Sequence, residues 1–130
     1  MPALYPSFKE QLLQAGINLS TADVRAILVD QADEAYNAAD VFLSDVTSAG
    51  IVGTAVTLSG KTFTAGVFDA NDVTFNGVTG DSVEAVILYV HNATASAARL
   101  IGYFDGISVT PNGGSIIITW SDGASKIFAL

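Results

Sequence analysis

Residues 72–91 read DVTFNGVTGDSVEAVILYVH, and this stretch decides how the rest of the chain is understood. Its first part alternates, with Val73, Phe75 and Gly77 on one face of a strand and Asp72, Thr74 and Asn76 on the other. Thr79-Gly80-Asp81 supplies a turn in which Gly80 is free to take a positive φ. The second part then places Val83, Ala85, Ile87, Tyr89 and His91 on one face and Glu84, Val86, Leu88 and Val90 on the other. Only the Glu84 end of that second face is charged. The two strands are expected to form a hairpin, and the return strand, apolar on both sides of its centre, is expected in the middle of a sheet, under a second layer or a partner subunit.

Outward from this stretch, further strand patterns appear at residues 24–29, 51–58, 62–65, 97–105, 115–121 and 125–130. The last two are expected to form a hairpin across Asp122-Gly123, a dipeptide favoured in type I′ turns. Pro111-Asn112-Gly113-Gly114 is a strong turn signal before them. Turn signals recur at intervals of roughly 8 to 15 residues, the spacing of an antiparallel sandwich or barrel rather than of βαβ units. Residues 5–16 form an amphipathic pattern, with Pro6 near a first helical position and Gly16 placed to close the C-terminus in a left-handed conformation. Phe8, Leu12 and Ala15 share a face with Leu13 beside them. A helix this short must pack on something, either as a cap on one end of the β-domain or as an arm on a neighbouring subunit. Asn37, with Asp40 three residues on, resembles an N-cap for a short helical excursion near 37–45 that carries Val41, Phe42 and Leu43. The expectation is a mainly β, antiparallel sandwich or barrel-like fold in a single domain over residues 1–130, with 1–18 as a helical arm.

Half of the 130 residues are hydrophobic and only 14% are charged, well below the usual quarter or so. No apolar run approaches the roughly 18 residues that would span a bilayer, and the start lacks the basic and apolar regions of a Sec-type signal peptide. With no cysteine, disulfides and thiolate metal sites are excluded. The net charge of −8, with Lys9, Arg25, Lys61, Arg99 and Lys126 scattered along the chain, argues against nucleic acid as a partner.

Chemistry of catalytic type has little foothold. The one histidine, His91, ends the most apolar strand and reads as a capping or partly buried residue rather than a triad member. Nucleophile-elbow, P-loop, dinucleotide and zincin motifs are absent. Asp69, Asn71 and Asp72 in one turn, and Asp30, Asp33 and Glu34 in another, read as turn-capping groups; a bound cation or a hydrolytic carboxylate pair is the sharper alternative. Trp120, Tyr89, Tyr103, Phe104 and Phe128 are the candidates for a sugar platform. Trp120 shares a strand face with Ile116 and Ile118, however, which favours core or interface, and the companion face carries Ile117 and Thr119. A strand apolar on both sides suggests oligomerisation. No catalytic residue, cofactor or metal ligand is assigned.

The segments GINLSTADVRAILVD (16–30), VFLSDV (41–46), GKTFTAGVFDANDVTFNGVTGDSVEAVILY (60–89) and VTPNGGSIIITWSDGASKIFAL (109–130) carry a resemblance. In their order, and in the short helix before "INL", the chain resembles small structural proteins of tailed bacteriophages. The resemblance runs from about residue 5 to the end and rests on turn and strand motifs. It implies a non-enzymatic virion protein, made in the bacterial cytoplasm and located on the capsid surface. There it would serve as a head decoration, or cement, protein that braces the major capsid protein, with a tail, baseplate or host-carbohydrate-binding module as the alternative. The apolar patterns themselves lead to the expectation of a homo-oligomer, dimer or trimer, with Tyr5, Phe8, Leu12 and Leu13 of the helical arm and Trp120 as contact residues.

Overall fold

The computed structural model describes residues 3–130. Met1 and Pro2, the start of the expected arm, lie outside the described residues. In chain order the elements are β1 (Ala3–Leu4), α1 (Pro6–Leu13), β2 (Val24–Val29), β3 (Ile51–Thr57), β4 (Val67–Phe68), β5 (Val73–Phe75), β6 (Val83–Val90), β7 (Leu100–Val109), β8 (Ile116–Ile118) and β9 (Phe128–Ala129). A five-stranded antiparallel sheet runs β1-β7-β6-β2-β3, and two small antiparallel pairs, β4-β9 and β5-β8, complete a mainly β, sandwich-like architecture.

The apolar run of β6 does what its composition demands. It is the middle strand, with Ile87 opposite Ile27 on one side and Tyr103 on the other. Ala85 through Tyr89 are all buried, so both faces are covered by protein of the same chain. The Tyr103 hydroxyl on one face donates to the Glu34 carbonyl at 2.9 Å, which lays the segment after β2 over that side. Phe104, one residue further along, points to the opposite face and meets the Trp120 ring edge-on at 6.4 Å. Gly102 makes this possible, because a Cβ there would lie 2.8 Å from Phe104 Cε2 and 3.2 Å from Leu4 Cδ2.

Both expected hairpins are corrected. β5 pairs with β8, Val73 opposite Ile118 and Phe75 opposite Ile116, and makes no ladder with β6. The chain leaves β5 through Gly77 at φ 60°, and Val78 is then bound on both sides, its N–H to Gly114 O and its C=O to Gly113 N–H. Gly80 does take a positive φ, of 117°, but the turn it serves carries the chain between layers. Likewise β8 and β9 lie in different small sheets, and the residue with positive φ near Asp122-Gly123 is Lys126. Residues 62–65 form no strand: a single bridge from Thr62 to Asp69 is followed by a 3-10 turn over Thr64–Gly66.

The N-terminal segment is woven into the domain. β1 pairs with the edge of β7, and Tyr5 N–H donates to Ile101 O before Pro6 opens the helix. Helix α1 closes with Ala15, not Gly16, in the left-handed conformation, at φ 57°. Gly16 N–H then reaches Gln11 O at 2.8 Å and Ala15 N–H reaches Leu12 O at 3.2 Å, the paired bonds of a Schellman ending. Asn37 caps only a local turn, its side chain accepting from Ala39 N–H. The helical excursion is a single 3-10 turn, Leu43–Asp45, preceded by the Val41 and Phe42 N–H groups that donate to the Asp45 carboxylate.

Candidate functional site

Leu13, Phe63, Ile117 and Leu130 are the large apolar side chains left exposed among the described residues. Three of them are gathered in one place by elements far apart in sequence. Helix α1 turns Phe8 inward, edge-on against Phe128 of β9, so Leu12 is half-buried and Leu13 stands 89% exposed. Leu130 follows β9 directly, pinned by its N–H to Gly66 O at 3.0 Å, with its side chain 76% exposed. Phe63 lies against Phe68, rings 5.7 Å apart, with 40% of its surface open. The far wall is the loop around Ile17 and Leu19, whose backbone is held by Lys61 Nζ donating to the Leu19 and Ala22 carbonyls. Leu130 lines three adjoining grooves of about 610, 260 and 100 Å³: with Leu12 and Phe63, with Leu12, Leu13 and Lys9, and with Phe63 and Phe128. The result is an apolar surface on a braced frame, with the Lys9 ammonium stem at its rim. Its chemistry is contact.

The expected contact residues divide. Leu12 and Leu13 belong to this surface, whereas Tyr5, Phe8 and Trp120 are corrected to core residues. Tyr5 and Phe8 have no exposed area and Trp120 keeps 8%. Tyr5 sits 5.2 Å from the Tyr36 ring, which in turn meets Tyr103. Its hydroxyl has no hydrogen-bond partner among the described residues. Burial, with the Asp40 and Glu34 carboxylates adding to it, pushes that phenol far above its ordinary value. Trp120 is fixed by two bonds from its own N–H groups, the backbone one to Asp72 Oδ1 at 2.9 Å and Nε1–H to Asn71 O at 3.1 Å. A sugar platform needs an open ring face, and this indole has none to offer. The cleft beside it, about 190 Å³, lies between Phe104, Ile118 and Ile127, with Asp105 and Lys126 at its margin.

Of the acidic groups, Asp30 caps its own turn, whereas Glu34 and Asp72 hold backbone 13 and 48 residues away. Asp30 accepts from Ala32 N–H, Glu34 from Thr47 N–H, and Asp72 holds Trp120 as described. Asp30, Asp33 and Asp81 bring carboxylate oxygens within 4.8 Å of one another, the donor set a hard divalent cation would use. The Phe42 and Val41 amides hold the Asp45 carboxyl below the usual carboxylate range, while burial, then Glu34 and Asp45, raise that of Asp40. His91 is exposed at the end of β6, its backbone N–H given to Asp23 O, which corrects the expectation of partial burial. Ile117 and Thr119 are exposed too.

Phe63 and Leu130 are the surface residues that sequence reasoning missed. Phe63 falls within the pattern of a short alternating strand, and Leu130 within that of a hairpin, neither of which forms. No periodicity marks them, because what unites them with Leu13 is the packing of β4, β9 and α1. No helix among the described residues is long and apolar enough to cross a membrane. No protein-family model matches this sequence, and no curated protein does.

Proposed function

We propose that this chain is a capsid decoration, or cement, protein of a bacteriophage, bound to the outside of the assembled head and stabilising it by non-covalent contact. The observation that carries this reading is the braced apolar surface of Leu12, Leu13, Phe63 and Leu130, on a domain whose polar turns are engaged in holding its own backbone. Such a surface binds by exclusion of water and needs no special residue. A footprint of about 800 Å² per copy is standard for a specific interface, a modest part of the 6513 Å² that the folded chain exposes. Copies arranged as a dimer or trimer on a symmetric lattice of major capsid protein add avidity to each contact.

Leu13→Asp is the decisive variant, because Leu13 contributes almost nothing to the core. The variant keeps the wild-type unfolding midpoint and loses co-sedimentation with empty capsids by at least about tenfold, the effect of charging one well-buried contact. Retention of the wild-type protein on host polysaccharide, with no capsid binding, would overturn the reading in favour of a tail or baseplate module. Unfolding of the domain by Leu13→Asp would assign the residue to the core and remove this surface as the contact.

A further inference from the structure

The chain contains two Asn-Gly dipeptides, Asn76-Gly77 and Asn112-Gly113, and the fold brings them to one surface corner. Val78 joins them, donating its N–H to Gly114 O at 3.0 Å and accepting from Gly113 N–H at 2.8 Å. Asn-Gly is the pair in which a backbone nitrogen, unhindered by a following Cβ, can reach the preceding carboxamide carbon. The structure holds the two pairs very differently. At the second, the nucleophile is engaged: Gly113 N–H is committed to Val78 O, and Asn112 Oδ1 accepts from Gly114 N–H at 2.9 Å. At the first, the electrophile is prepared: Asn76 Oδ1 accepts from the Ser115 hydroxyl at 3.0 Å. Asn76, Gly77 and Ser115 are all exposed, and a Cβ on Gly77 would meet nothing within 4 Å, so solvent base reaches that amide.

We propose that Asn76 is a site of intramolecular deamidation, promoted by Ser115 and distinguished from Asn112 by the hydrogen bonding of the following glycine. Hydroxide removes the Gly77 amide proton, and the nitrogen pair forms a bond to Asn76 Cγ. The carbonyl π pair moves to Oδ1, where the Ser115 hydroxyl stabilises the developing charge. Collapse of this intermediate breaks the Cγ–Nδ2 bond; the nitrogen leaves as ammonia with a proton from water, which restores hydroxide. The product is a five-membered succinimide. Water then adds to one of its two carbonyls and the C–N bond there breaks, the Gly77 nitrogen recovering its proton. Opening at the side-chain carbonyl leaves an aspartate at position 76; opening at the backbone carbonyl leaves an isoaspartyl linkage. Either product adds one negative charge, and the second inserts a methylene into the backbone two residues before Val78, whose bonds fasten this corner.

The test is peptide mapping by mass spectrometry, with isoaspartyl methyltransferase labelling, of the intact folded protein held in warm, mildly alkaline buffer. Position 76 converts about tenfold faster than position 112, the factor one retained backbone hydrogen bond imposes. Ser115→Ala slows conversion at 76 by roughly two- to tenfold, and Ser115→Thr, which keeps the hydroxyl, restores it. Equal rates at the two sites, or faster conversion at 112, overturn the proposal. So does acceleration by Ser115→Ala, which would make that hydrogen bond protective, and so do Ala and Thr variants that react alike.

Discussion

β6 (VEAVILYV) and β8 (III) are both rich in branched apolar residues, yet β6 has protein on both faces and β8 on one. The difference lies in what each is bonded to. β6 has a long partner on each side, so layers can settle above and below it. β8 pairs over only three residues with β5 and leaves Ile117 63% exposed. What also holds β8 in place is polar and distant: Asp72 and Asn71 grip Trp120, and Gly113 and Gly114 are bound to Val78. The large sheet is stabilised by burial on both faces, the β5-β8 pair by burial of Val73, Phe75, Ile116 and Ile118 on one face together with these pins.

The hardest test of this contrast is a pair of matched truncations. Ile87→Ala, at a position with no exposure, costs about 2–5 kcal/mol in urea unfolding, through lost burial and the cavity left behind. Ile117→Ala, the same chemical change on β8, costs less than about 0.5 kcal/mol. Comparable losses at the two positions would mean that β8 is packed on both faces and that the contrast is false.

A second test separates the pins from the burial. Asp72→Ala removes the acceptor for Trp120 N–H and costs about 1–3 kcal/mol, since a half-buried donor is left unmet. Amide exchange should quicken over residues 116–120 well before it does over β6, because the small sheet opens locally. If exchange in β6 rises in step, the two regions form one cooperative unit and the division into burial and pins fails.

These outcomes also explain how far the sequence could be read. The central place of β6 was legible, since a charge-poor strand has only one kind of environment available. So were β2, at residues 24–29, and Pro6 at the head of the helix. The partner of β5 was not legible. Thr79-Gly80-Asp81 has hairpin chemistry, and nothing local says that Val78 will be captured by Gly113 and Gly114 some 35 residues on. The same gap hid the candidate surface. Leu13 could be seen beside the apolar face of an amphipathic pattern, but Phe63 and Leu130 join it only through the pairing of β4 with β9. Trp120 was read as core or interface on the strength of its alternation with Ile116 and Ile118, and its burial follows from that alternation.

The helix ending offers the smallest effect, and the cleanest, because it touches neither sheet. Ala15 is held at φ 57°, a conformation that its Cβ disfavours and that glycine adopts freely. Its N–H and that of Gly16 satisfy the Leu12 and Gln11 carbonyls, so the geometry is imposed by the ending rather than by the residue. Ala15→Gly should therefore raise stability by about 0.5–1 kcal/mol, the relief of strain outweighing the greater freedom glycine gains in the unfolded chain. Urea unfolding followed by circular dichroism reads this directly, with the midpoint rising and the slope unchanged. A loss of stability would show that the segment does not hold the left-handed turn in solution, and that Leu12 and Leu13 sit on a frayed end rather than on a braced frame.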